Sequence, residues 1–179
     1  MKKILFLLFA AAAFAACNDD DGAPKIRYAT TNDAIVNGLM QGTNMHFYGT
    51  ATVTEEQQGG TYTDNEAWFE TAGGSDNFYL YMHKTRFAAK MPPLEMRITD
   101  ILYTGAGNSI SFAIESVVPE VSLPNSEGGG YSYRPMPSYT LTEVEGSIDG
   151  VDCRVSFTCN VPNLGTYRME YEGKLIIKE

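Results

Sequence analysis

Few side chains in this sequence are equipped for chemistry. Two histidines (His46 and His83), three cysteines (Cys17, Cys153 and Cys159) and one tryptophan (Trp68) stand among 22 acidic and 13 basic residues in a chain of 179. Nucleophilic catalysis needs a histidine oriented by an acid and set against Ser, Cys or Thr. Both histidines fall on the polar parity of strand-like runs, and no G-x-S-x-G, H-E-x-x-H or P-loop pattern accompanies them. They read as surface side chains. Among so many acids a carboxylate pair for glycoside hydrolysis is always available, so acids alone single out no site. A more specific set is Glu66, Trp68 and Glu70. In an extended chain this spacing puts two acids and one indole on the same face, the combination that grips a sugar ring. A plain solvated strand face accounts for the same three residues. Asp149-Gly150-Val151-Asp152 begins like a calcium loop but lacks the remaining ligands, and it reads as a turn. The expectation is a non-enzymatic chain with no cofactor and no metal site.

The cysteines argue in the same direction. Residues 151–159 alternate apolar and polar without a break, which marks a strand with Val151, Cys153, Val155, Phe157 and Cys159 on one face. Six residues of strand separate the two thiols by about 20 Å. A disulfide needs Cα atoms within about 7 Å. Cys153 and Cys159 are therefore expected to be reduced, buried and space-filling.

The elements that must position any site begin after an N-terminal segment of a different kind. Lys2 and Lys3 precede an apolar, Ala-rich run over residues 4–14, and small residues then lead into Cys17. This is the layout of a secretory signal peptide over residues 1–16. The uncharged run is too short to span a bilayer, which takes about 20 residues. Phe14-Ala15-Ala16-Cys17 resembles a bacterial lipobox, and that resemblance implies acylation of Cys17 as a lipid anchor. Asp19-Asp20-Asp21 resembles the signal that sends lipoproteins of Bacteroidetes-type bacteria to the cell surface. The implied location is the outer membrane, facing the cell exterior. Removing residues 1–16 takes away two lysines and leaves 22 acidic against 11 basic side chains, a net charge of −11. Such a body repels anionic headgroups and nucleic acid alike, so acyl chains have to hold it at the membrane.

Residues 17–44 read as a tether and lead-in, with a short helix over residues 34–40 capped by Asn32 or Asp33. Residues 45–179 then alternate with a period of two in eight runs: 45–54, 61–71, 78–83, 94–103, 109–118, 138–148, 151–159 and 166–177. Eight β-rich runs with almost no helical periodicity predict an all-β sandwich or barrel. Residues 119–137 hold four prolines and a Gly128-Gly129-Gly130 run, and they read as one long loop. Tyr131, Tyr133 and Arg134 within it are candidate contact residues; an ordinary packed Ω-loop is the alternative.

Tyr48-Gly49-Thr50-Ala51-Thr52-Val53, Phe87 with Met91-Pro92, Tyr139-Thr140-Leu141-Thr142 leading to Gly146, and Tyr171-Glu172-Gly173-Lys174 occur in this order over residues 45–177. In order and spacing they resemble the calycin-like domain of Bacteroidetes lipoproteins, a relative of the lipocalin barrel. The resemblance implies an eight-stranded antiparallel barrel whose interior is either filled by side chains or open to one small ligand. Two functions follow. One is a binding module for a small apolar or amphipathic ligand in or at the mouth of the barrel. The other is a glycan- or protein-contacting module with a packed core and no ligand pocket, working through Trp68 and the Tyr131–Tyr133 loop. Under either reading the candidate ligand- or partner-contacting residues are Trp68, Glu66, Glu70, Tyr131, Tyr133 and Arg134.

Overall fold

The computed structural model describes residues 26–28, 44–73, 76–126 and 128–178. The signal peptide, Cys17, Asp19-Asp20-Asp21 and the helix expected over residues 34–40 lie outside the described residues.

Each of the eight alternating runs contains a strand, although the run over 138–148 opens on a 3-10 turn (Pro137–Tyr139) and enters the sheet only at Leu141. They appear as β2 (Met45–Glu55), β4 (Trp68–Gly73), β5 (Asn77–Thr85), β6 (Leu94–Leu102), β8 (Ser109–Val117), β11 (Leu141–Asp149), β12 (Asp152–Val161) and β13 (Gly165–Lys178). Five further strands correct the expected count of eight: β1 (Ile26–Tyr28), β3 (Thr61–Asp64), β7 (Thr104–Ala106), β9 (Glu120–Pro124) and β10 (Tyr131–Pro135). Together they form one antiparallel sheet in the order β10-β9-β6-β5-β4-β2-β13-β12-β11-β8-β7, with β1 on β13 and β3 on β2. Only Tyr103 separates β6 from β7, so the two ends of this order approach one another and the sheet curls into a half-barrel.

Three departures from the alternation pattern have local causes. Residues 61–71 do not run straight, because the Asp64 carboxylate accepts the backbone N–H of Glu66 at 2.8 Å and bends the chain between β3 and β4. Residues 119–137 are not a long loop but the β9–β10 hairpin, in which Tyr131 pairs with Pro124 and Pro135 with Glu120. β10 lies at the edge of the sheet, where Pro135 needs no ladder partner on its open side. Gly128, Gly129 and Gly130 all take positive φ (80°, 89° and 88°) to reverse the chain. Thirdly, residues 26–28 of the expected tether join the sheet, paired with Ile176 to Lys178.

Period-two alternation gives each strand a core face and a solvent face. Phe47, Phe69, Phe78, Leu80, Met82, Met96, Ile98, Phe157 and Met169 fill the core face at 0–1% exposure. Tyr171 joins them: its ring lies 3.8 Å from that of Phe69, and its hydroxyl donates to the Phe47 carbonyl at 2.8 Å. Gly146 is required opposite Phe112, since a Cβ there would run into the phenyl ring. As expected, Cys153 and Cys159 share the core face of β12 as free thiols, and burial pushes both up to about 12.

Candidate functional site

The solvent face of β2, β4, β5, β6 and β10 carries a continuous row of rings. Register creates it. Tyr48 of β2 stands opposite Trp68 of β4, Trp68 opposite His83 of β5, and Tyr81 of β5 opposite Arg97 of β6. Strands lie about 4.8 Å apart, so planar side chains at matched positions stack as they rise from the sheet. Tyr48 and Trp68 are stacked at 5.1 Å and 5°, and Trp68 and His83 at 3.8 Å and 12°. Tyr81 follows His83 at 6.1 Å and meets Tyr133 of β10 edge-on at 5.9 Å. The Arg97 guanidinium sits 4.4 Å over the Tyr133 ring and is held from behind by Glu120 at 2.6 Å. His46 packs its edge against Trp68 at 5.3 Å.

Carboxylates brace this row. Glu70 accepts from Asn44 Nδ2 at 2.6 Å and faces Nε2 of His83 at 3.2 Å and Nε2 of His46 at 3.7 Å. Glu95 meets His83 Nδ1 at 2.6 Å and also accepts the backbone N–H of Lys84. Both nitrogens of His83 thus face carboxylate oxygens. A neutral imidazole has one N–H to donate, so pairing both contacts takes one more proton, on the ring or on a carboxyl. Burial first, and then the negative charge of Glu95, raise the Tyr133 phenol above its ordinary value, which keeps it a neutral donor.

Beyond Tyr48, residues of β2, β13, β12, β11 and β8 line a groove of about 1100 Å³. Thr50, Thr52, Glu170, Glu172, Arg154, Ser156, Glu145 and Ser147 line it together with Phe112, Val155, Tyr171 and residues 102–104. A smaller concavity of about 340 Å³ lies between Tyr48 and the charged residues Asp152, Arg154, Glu172 and Lys174.

The residues singled out from the sequence divide. Trp68 and Glu70 sit in the middle of the row, Tyr133 ends it, and Tyr131, 74% exposed, has the same strand parity one step along the edge. Glu66 does not flank Trp68 on the strand. It lies in the bend before β4, and its carboxylate pairs with Arg86 at 2.8 Å. Arg134 falls on the opposite parity of β10, where it donates to Ser132 Oγ and Asn125 Oδ1. The histidines are not plain surface residues either: their side chains are 17% and 27% exposed within the row. Tyr48, Tyr81, Glu95 and Arg97 were not singled out as candidates and His83 was read as a surface side chain, although all lie on the polar parity of their strands. For Tyr48, Tyr81 and His83 the only signal was an aromatic or histidine on a face that alternation assigns to water; Glu95 and Arg97 gave none.

Among the described residues no three His, Cys, Asp or Glu side chains gather in a metal-ligating group. No protein-family model matches the chain, nor does any curated protein or solved structure. The curled all-β sheet is compatible with a calycin-like fold.

Proposed function

We propose that this chain is a non-enzymatic binding module that grips a glycan on the solvent face of its sheet. One observation carries the reading: five stacked or edge-packed rings, from Tyr48 to Tyr133, form a rigid polar strip braced by Glu70, Glu95 and Glu120. Side chains already locked by stacking and ion pairs lose little entropy when a partner arrives. Ring rims and the remaining carboxylate lone pairs offer alternating donors and acceptors at strand spacing, which suits a chain of sugar hydroxyls. The core face supports the choice from the other side. It is filled by large side chains, and the concavities described above are lined chiefly by side chains of the solvent-facing parity. A glycan-contacting module with a packed core therefore fits better than a small apolar ligand inside a barrel. In the calycin-like reading the eight alternating runs are the staves, and β6 and β7 form one bent stave that meets β8. Acylated Cys17 would hold the module at the outer membrane, facing the exterior.

Trp68 is the sole tryptophan and lies within the strip, so its emission reports directly on occupancy. The mature chain, with Cys17→Ala for solubility, should show a saturable change in Trp68 emission and matching calorimetric heat with at least one member of a panel of bacterial and plant oligosaccharides. No response across the panel would refute the proposal. Protease shaving of intact cells tests the location, and full protection of the domain would refute surface display.

A further inference from the structure

Resting on that glycan reading, we propose that the concavity beside Tyr48 is the anchoring subsite for one uncharged pyranose ring, and that the adjoining groove carries the rest of a neutral oligosaccharide. Trp68 covers one face of the Tyr48 ring in a nearly parallel stack. The opposite face turns towards β13, where Lys174 is the register partner of Tyr48, and it forms a wall of the 340 Å³ space. Along the row Tyr48 is the terminal ring, so it is the ring whose flat face remains open to a ligand rather than its rim. Ligand sites generally measure about 300–1000 Å³, and a space at the lower limit takes one ring, not a chain.

The charged rim determines the class of sugar. Lys174 pairs with Asp152 at 2.5 Å and Arg154 with Glu172 at 3.4 Å, so the four groups sum to zero charge. With the charges cancelled the rim gives neither an anionic nor a cationic sugar a net attraction, whereas a neutral ring with vicinal hydroxyls can hydrogen-bond to all four groups. All four side chains are at least 42% exposed, so each pair has lone pairs or N–H groups left to share with hydroxyls. Arg154 and Glu172 also line the 1100 Å³ groove, which makes the two spaces contiguous. From there Thr50, Thr52, Ser147 and Ser156 extend the path with hydroxyls, alongside the carboxylates of Glu145 and Glu170.

The test uses the mature chain and a panel of neutral linear hexaoses (malto-, cello-, manno- and xylo-oligosaccharides), with a galacturonate hexamer as the anionic counterpart. Dissociation constants come from calorimetry and Trp68 emission, and circular dichroism melts check that each variant folds. Tyr48→Ala should weaken the best neutral ligand by tenfold or more, Tyr48→Phe should restore binding to within about threefold, and Glu172→Gln and Arg154→Ala should each weaken it several-fold. Leu164→Ala, exposed between β12 and β13 and outside the row and both concavities, should leave it within twofold. Three results overturn the inference. A Tyr48→Ala variant that binds like wild type while Tyr133→Ala fails would displace the subsite and leave the glycan reading standing. Tighter binding of galacturonate than of any neutral hexaose would remove the neutral class. No binding of any saccharide by wild type would remove the subsite and the glycan reading together.

Discussion

Tyr171 ties β13 to β4 through its ring and to β2 through its hydroxyl, and substitution can take the two apart. Its ring is 1% exposed and stacks 3.8 Å from Phe69, while its hydroxyl donates to the Phe47 carbonyl at 2.8 Å. Tyr171→Phe keeps the stack and deletes one buried neutral hydrogen bond, a loss of about 1 kcal/mol. Tyr171→Ala deletes the ring as well and leaves a cavity against Phe69, a loss of about 3–5 kcal/mol by comparison with other aromatic truncations. For a domain of this size each kcal/mol lowers Tm by about 2–4 °C, so the phenylalanine variant should melt only a few degrees early. Urea unfolding followed by far-ultraviolet circular dichroism and by Trp68 emission should give lower midpoints with an unchanged slope, because the surface exposed on unfolding stays the same. The refuting result is an alanine variant no worse than the phenylalanine variant. The ring would then contribute nothing, and the core face would not be packed as described.

Other perturbations follow from single groups. Thr85 buries its hydroxyl without a partner among the described residues, so Thr85→Val should raise the urea midpoint, by up to about 1 kcal/mol in stability. Burial raises Cys153 and Cys159 to about 12, above the unfolded thiol, so the unfolded chain ionises first as pH rises. Their contribution is therefore complete below about pH 8.5–9 and is lost towards pH 12; Cys153→Ala with Cys159→Ala should flatten that part of the stability profile, and both thiols should resist a disulfide reagent until the protein is denatured. Asn125 accepts from Ser132 and Arg134 and donates to the Gly129 carbonyl, so Asn125→Ala should speed amide exchange over β10 while β12 and β13 keep their protection. Equal deprotection of all three strands would show that the hairpin is not an independent unit.

The sequence by itself determined which runs are strands and which side of each meets the core. Alternation is local, and Val151 to Phe157 declare their face without help from any other strand. The same locality made the state of Cys153 and Cys159 legible, since the distance between them follows from strand rise alone. It failed where a side chain overrode the pattern, as Asp64 does in bending the chain at Glu66, and where prolines and glycines concealed the β9–β10 hairpin. The candidate site lay beyond it altogether. Tyr48, Trp68 and His83 are separated by 15 residues or more in the chain and become neighbours only because two ladders share one register. Sliding either ladder by one residue would turn a ring to the other face of the sheet, so the row belongs to tertiary pairing, which core packing on the opposite face sets.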